Sequence, residues 1–282
     1  MGMIYVLVPA YNEASTVGLL LWKVRRVFTA FAREYQLLVV DDASTDGTDD
    51  VLAPYARALP LTLVTHRTRQ GYARSVEELL RLAVARTDKP RRDLAVVLQA
   101  DFSDSPDDIP ELVRRIESGA DVALADYRRR PGIPRSEALV RRLLPWALRA
   151  APGAPPGGID WVCSLKAARL VTLARLVSER GGRPLLQADG WAADAELVLA
   201  LAPHARRLEV APVAGPAAAR QRARRAAPWR AAWEVWRMAR RHRPAVTPVA
   251  SEEPPAGRPP RRRGRRRGRR ASAAPPTPTI AP

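Results

Sequence analysis

The chain has 282 residues, 46% of them hydrophobic, and 47 basic against 29 acidic groups give it a formal net charge of +18. That length holds one large domain or two small ones with a sizeable core, and no apolar run is long enough to span a bilayer as a helix. The single cysteine, Cys163, excludes an internal disulfide and fits a reducing compartment, and three scattered histidines (His66, His204 and His242) argue against a histidine-rich metal centre. The opening "MGMIYVLVPA" lacks the basic n-region of a secretory signal. A cytoplasmic location is therefore expected, with peripheral contact at the inner membrane face as an option. From Arg220 onward there are 18 arginines and three glutamates, a net of +15, which leaves +3 for residues 1–219. The excess positive charge is a property of the C-terminal part.

Taken in chain order, the first 126 residues alternate between two periodicities. "IYVLVPA" (4–10) reads as a buried strand, and residues 13–34 carry apolar side chains at helical spacing. "QLLVVDD" (36–42) is a second strand, followed by a helix near 47–58. "LTLVTH" (61–66) is a third, with a helix over 71–86. "LAVVLQAD" (94–101) is the fourth, then a helix near 107–118 and a short strand at 121–126. Such alternation implies right-handed crossovers and a mainly parallel sheet with helices on both faces, an α/β fold. Residues 128–158 read as a mobile connection around a short helix at 136–150. Helices are expected at 164–180 and 191–202, a strand at 208–213, and a basic amphipathic helix at 228–242. From Arg243 the chain is Pro-, Ala- and Arg-rich and is expected to be disordered.

Three loops follow strand C-termini, and a doubly wound sheet brings such loops to one edge. They are "PAYNE" (9–13), "DDASTDGT" (41–48) and "QADFSDSP" (99–106). Tyr11 is suited to stacking on a flat base. Asp42 is suited to accepting hydrogen bonds from a base edge or ribose, and Asp101 to holding a divalent cation, since hard cations favour oxygen ligands. Asp46, Asp104 and Asp107 read as helix caps or first-turn acids. Asp41 reads as a group that solvates a strand end.

The segments "VLVPAYNEASTV", "LLVVDDASTDGT", "GYARSVEELLRLA", "VVLQADFSDSPDDIPELV" and "GADVALADYRR" together resemble family-2 glycosyltransferases of the GT-A fold. The nearest branch is the polyprenyl-phosphate (dolichyl-phosphate) sugar transferases, and the resemblance covers about residues 3–130. It implies an enzyme that transfers a sugar, with inversion, from a nucleotide-diphosphate donor to a lipid phosphate or a saccharide. It implies that Pro9, Ala10, Tyr11, Glu13 and Asp42 hold the nucleotide, together with Gln99, Ala100 and Asp101. Asp101 would bind Mg2+ or Mn2+ on the donor diphosphate. In "DGWAADAELVLAL", Asp194 is the candidate base and Glu196 a capping or orienting group, while a lipid phosphate, already anionic, needs no strong base. Arg220, in "RQRARR", is the candidate for a loop closing over the diphosphate, and the stretch reads equally as a plain basic lead into the basic tail.

One departure stands out. Where the family reads Asp-x-Asp, this chain has Gln99-Ala100-Asp101, and an amide oxygen is a weaker metal ligand than a carboxylate. That leaves a second reading, a weak or silent GT-A domain used as a binding module. Asp160, in "GIDWVCSLKAARL", is the one position of note on the acceptor side. The chain is expected to divide into a GT-A domain at 1–215 (a donor half, 1–126, and an acceptor half, 127–215), a helical extension at 216–242 and the tail at 243–282. Trp229, Trp233 and Trp236 suit either a membrane interface or packing on the domain itself. The Arg-rich tail suits anionic lipid, and nucleic acid ranks last as a main partner.

Overall fold

The fold is described from a computed structural model, for residues 2–128, 133–148, 159–213 and 228–241. The strand β1 (Ile4–Ala10) is apolar along its whole length and buried at every position. Such a run has no solvent face, and it becomes the middle of a sheet. It pairs in parallel with β2 (Tyr35–Asp41) on one side and with β4 (Leu94–Val97) on the other. Beyond β2 lies β3 (Leu61–Thr65), also parallel. On the other side come β6 (Lys166–Arg169), β5 (Val122–Asp126) and β7 (Leu208–Pro212). Among the described residues the order is β3-β2-β1-β4-β6-β5-β7. Only β6 runs against its neighbours, so the sheet is mixed and mostly parallel.

The crossovers α1 (Val17–Ala30), α2 (Thr48–Ala58), α3 (Tyr72–Arg86) and α4 (Ile109–Glu117) fall where the helical periodicity places them. Further on come α5 (Arg135–Ala147), α6 (Leu170–Arg180), α7 (Gly190–Leu201) and α8 (Pro228–Arg241). α1 lies against α2 and against the 3-10 turn that opens α4, while α3, α6, α7 and α8 pack in succession. These two groups are the helical layers on the two faces of the sheet. α7 is the most enclosed helix: every residue from Ala192 to Leu201 is buried.

The structure corrects the reading of residues 164–180 as one helix. Lys166–Arg169 is a strand, and the helix starts at Leu170. "KAAR" favours helix locally, but the slot between β4 and β5 needs a backbone partner on both sides, and pairing overrides propensity. Helix boundaries also retreat: α1 starts at Val17 rather than at residue 13, after the backbone NH groups of Thr16 and Val17 donate to the Glu13 carbonyl. The expected tail at 243–282, the 220–225 loop and, of the connection at 128–158, residues 129–132 and 149–158 lie outside the described residues.

Leu7 sits in β1 between Leu38 of β2 and Val97 of β4 and is fully buried. Leu7→Ala should lower the unfolding free energy by about 2–5 kcal/mol, seen as a lower urea midpoint at unchanged slope.

Candidate active site

Because β1, β2 and β4 are parallel, their C-terminal ends open onto the same edge. There the structure has a cavity of about 400 Å3, within the range of small-ligand sites. Pro9, Ala10, Tyr11 and Glu13 line it from the first loop, Asp42 from the second, and Gln99, Ala100 and Asp101 from the third. Asp194 lines it from α7, more than ninety residues further along the chain. Arg220 lies outside the described residues. All the other expected site residues share this one cavity.

Backbone strain is concentrated in the same three loops. Among the described residues, the non-glycine residues with positive φ are Asn12, Ala43 and Phe102, at 55°, 57° and 57°. One follows β1, one β2 and one β4. Left-handed backbone at such residues costs about 1–2 kcal/mol each and persists where surrounding contacts impose it. Those contacts are present: Asn12 Oδ1 accepts from the Thr45 NH (2.7 Å), and the Asn12 NH donates to Ser44 Oγ (2.8 Å). The Ala14 NH donates to Asp46 Oδ2 (3.1 Å) and the Glu13 NH to Thr48 Oγ1 (2.8 Å). The first two loops are therefore laced to each other.

Asp42 is buried and holds a third piece of chain. Its Oδ1 accepts from the Gln70 NH (2.7 Å) and its Oδ2 from the Gly71 NH (2.8 Å), while His66 Nδ1 lies 2.7 Å from Oδ1. Burial opposes ionisation of Asp42, but these three partners outweigh it and hold the carboxyl below its usual range. Gly71, at φ 95°, is the residue before α3, where a side chain would be strained. The arrangement sets Arg69 with its guanidinium 4.1 Å from the centre of the Tyr11 ring, a cation–π contact. It also starts α3 so that Tyr72 faces the cavity. His66 Nε2 in turn meets Glu78 at 2.7 Å, so a buried imidazole bridges two carboxylates.

Gln99 is tied into a relay. Its side-chain amide donates to the Tyr72 hydroxyl (2.7 Å), and that hydroxyl donates to Asp194 Oδ1 (3.0 Å). The same oxygen accepts from Lys166 Nζ at 2.5 Å, and both partners of this ion pair are buried. Burial pushes the Asp194 carboxyl up, with the Lys166 ammonium and the Tyr72 hydroxyl pulling the other way. Glu196, two residues on, accepts from the NH groups of Gln187 (2.8 Å) and Ala188 (2.9 Å) and so orients the loop leading into α7.

Asp101 Oδ1 accepts from the backbone NH of Ser103 (2.8 Å) and from the Ser103 hydroxyl. Asp104, read from the sequence as a cap, is instead fully buried. It accepts from the Gln99 NH (3.1 Å), the Tyr127 hydroxyl (2.6 Å) and the Ser164 hydroxyl (2.5 Å), and burial raises its pKa. The cap of the 3-10 turn is Ser105, and Asp107 pairs with Lys23 at 2.6 Å. Asp41 is likewise buried, and its side chain accepts from Ser44 rather than facing water. Asp46 is not the cap, which is Gly47; it stands one residue earlier and accepts from the NH of Thr48, the first residue of α2 (3.1 Å). Asp160 is a core residue: it pairs with the buried Arg141 (2.8 Å), which also pairs with Glu137. The residues that sequence reasoning missed are Arg69, Tyr72, Lys166, Ser164, Asp189 and Trp191. Tyr72 stood in "GYARSVEELLRLA", Ser164 and Lys166 in "GIDWVCSLKAARL", and Asp189 and Trp191 in "DGWAADAELVLAL", all segments already singled out; Arg69 stood in none.

The donor set suits a hard cation. Mg2+ is usually bound through one or two carboxylates plus substrate phosphates rather than by an all-protein cage. Asp101 at the cavity wall fits that pattern. Among the described residues no group of three His, Cys, Asp or Glu side chains converges.

A family model described as glycosyl transferase family 2 matches residues 5–158, more than half of the chain. The chain belongs to that family. Among curated relatives, the undecaprenyl-phosphate 4-deoxy-4-formamido-L-arabinose transferase of Pseudomonas paraeruginosa (strain PA7) is 29% identical over 129 residues, 45% of this chain and 37% of that protein. This family-2 chain thus spans well under half of that relative's length. Two solved structures share its fold. Mannosyl-3-phosphoglycerate synthase from Rubrobacter xylanophilus has a TM-score of 0.58 at 18% identity, over 86% of this chain and 73% of that one. Glucosyl-3-phosphoglycerate synthase from Mycobacterium tuberculosis, in complex with Mn2+, UDP-glucose and phosphoglyceric acid, has 0.53 at 21%, over 84% and 80%. The fold of this family-2 glycosyltransferase is accordingly GT-A.

Two outcomes follow from this geometry. Lys166→Met leaves Asp194 as an unpaired buried carboxylate, and chemical denaturation at neutral pH should show a loss of about 3–5 kcal/mol. The His66 pKa is raised from 6.5: burial lowers it, but the hydrogen bonds that the protonated ring donates to Asp42 and Glu78 prevail. Its contribution to stability is therefore complete below 6.5 and lost as pH rises through the raised folded-state value. Thermal melts across that window should fall for the wild type and be flatter for His66→Asn.

Proposed function

We propose that this family-2 enzyme transfers a sugar from a nucleoside-diphosphate donor to the phosphate of a polyprenyl lipid, with inversion at the anomeric carbon. The observation that carries the reading is the single cavity at the ends of β1, β2 and β4, with Tyr11, Asp42 and Asp101 on its walls, in a family-2 chain. The donor half is 1–126 and the acceptor half 127–215. Tyr11 and Arg69 offer the base a flat face and a cation. Asp42 acts on the nucleotide through the loop it fixes, since three donors already meet its oxygens. Asp101 would hold Mg2+ or Mn2+ on the diphosphate. When bound, the cation offsets the charge that builds on the departing nucleoside diphosphate. The M. tuberculosis neighbour, solved with Mn2+ and UDP-glucose, supports both the donor class and the metal.

In the transfer, an acceptor oxygen forms the bond to the anomeric carbon as the bond to the donor diphosphate breaks. The name of the P. paraeruginosa relative supports a polyprenyl phosphate as acceptor. The chemistry of Asp194 supports it too. Its Oδ1 already receives Lys166 and Tyr72, which suits a positioning group better than a free base. A phosphate oxygen is already anionic and needs no proton removed. Contact with the lipid is proposed to be peripheral, at the cytoplasmic face; among the described residues no helix is long and apolar enough to cross a membrane.

Gln99 favours one second reading, a GT-A domain that binds a donor without turning it over. Its amide is engaged with Tyr72, and it stands where a second carboxylate would strengthen a metal site. Donor chemistry separates the two. Titration of UDP- and GDP-sugars with Mn2+ should give a dissociation constant about a hundredfold weaker for Asp101→Ala, equivalent to about 3 kcal/mol. Equal affinities would remove Asp101 from the metal role. The wild type should release nucleoside diphosphate in a metal-dependent way, and Gln99→Asp should strengthen that dependence. Donor binding with no release would select the silent domain.

A further inference from the structure

Two outward helix faces take no part in the cavity or the core. On α5, Leu139, Leu143 and Trp146 succeed one another at i, i+4 and i+7, and all three are exposed, Trp146 to 73%. On α8, the inward face is small and aliphatic (Ala231, Val235 and Ala239), so the expectation that the tryptophans pack on the domain fails for Trp229 and Trp233. These two, at i and i+4, are 55% and 58% exposed. Trp233 also stacks on Trp236, with ring centres 4.7 Å apart, and Arg240 covers Trp236 at 4.5 Å. α5 and α8 pack against each other. Large apolar side chains in such number on neighbouring helices mark an interaction surface.

The charges beside them say what kind. The exposed charged groups of the two helices are Arg135, Arg142, Arg230, Arg237, Arg240 and Arg241 against the single acid Glu234. A second copy docking on this face by two-fold symmetry would set arginines against arginines. An anionic bilayer offers the opposite charge together with an interfacial zone where tryptophan is favoured. Both helices also border the cavity, α5 through Arg141 and α8 through Ala231 and Glu234.

We propose that α5 and α8 together form a membrane-docking face, which lays Leu139, Leu143, Trp146, Trp229 and Trp233 into the interface of an anionic bilayer and sets the cavity beside it. That the docked lipid leaflet also presents the acceptor phosphate rests on the function proposed above; the docking itself does not.

The test uses the full chain and vesicles of phosphatidylcholine with about 30% phosphatidylglycerol, at about 0.5 M NaCl, where purely electrostatic attraction by the arginine-rich segment is screened. The wild type should co-float with these vesicles, and acyl-brominated lipid should quench its tryptophan fluorescence. Trp146→Ala/Trp229→Ala/Trp233→Ala should partition about tenfold more weakly, with an unchanged melting temperature and unchanged UDP-sugar affinity. Equal partitioning of wild type and variant would overturn the proposal, as would wild type that is not quenched by brominated lipid; the latter readout needs no variant to fold. A concentration-dependent dimer abolished by the same triple variant would assign the face to a second copy and also overturn it. Transfer to a water-soluble short-chain prenyl phosphate separates the two readings. If the variant retains that transfer and loses transfer to vesicle-embedded acceptor, both stand. If vesicle docking holds but no prenyl phosphate is ever glycosylated, only the acceptor assignment falls.

Discussion

Everything at the cavity depends on three parallel strands whose C-terminal ends open onto one edge. β1 and β2 pair without offset from Ile4–Tyr35 to Ala10–Asp41, and β1 and β4 pair from Ile4–Leu94 to Leu7–Val97. Parallel pairing in the middle of a sheet forces both faces to be apolar and both sides to be hydrogen-bonded. The polar residues of these segments are thereby pushed past the strand ends, onto one edge. There the carboxylates of Asp41, Asp42 and Asp104 are buried, each satisfied by backbone or hydroxyl donors. Their first task is to hold loops in left-handed turns. Asp101 is left at the cavity wall with a different one.

The alternation of strand and helix was legible because β1, β2 and α1 to α4 each form from contiguous residues whose periodicity is strong. The resemblance of the three loops to family-2 glycosyltransferases was legible for a related reason: each motif is local. β6 was not legible, since four residues rich in alanine carry no signal that a gap between β4 and β5 awaits them. Nor was the relay from Gln99 through Tyr72 and Asp194 to Lys166. Its members come from four different elements, and only folding makes them neighbours. Asp104 misled for a similar reason, as an acid before a helix resembles a cap until Tyr127 and Ser164 are seen to reach it.

Gln99 changes meaning in this setting. Viewed along the sequence, it is a missing carboxylate. In the fold it is a donor whose amide reaches the Tyr72 hydroxyl, and that hydroxyl in turn reaches Asp194. An aspartate at that position would bring no hydrogen to offer, and Tyr72 would have two acceptors competing for one proton. The amide lets the hydroxyl accept on one side and donate on the other. The cavity thus keeps Asp194 paired at the cost of one charge near Asp101.

The antiparallel strand β6 has one more consequence. Side chains alternate across a strand, so Lys166 and Ala168 share one face while Ala167 and Arg169 share the other. Arg169 donates to the carbonyls of Ile116, Ala120 and Arg91 at the far side. Adding or removing a single residue between Ser164 and Lys166 would slip the strand by one and exchange the two faces. Asp194 would meet a methyl group in place of the Lys166 ammonium, and the arginine's three carbonyls would lose their donor. The length of this short segment is therefore under as strict a constraint as the identity of any residue in it, and natural variation there should take the form of substitutions and not of insertions.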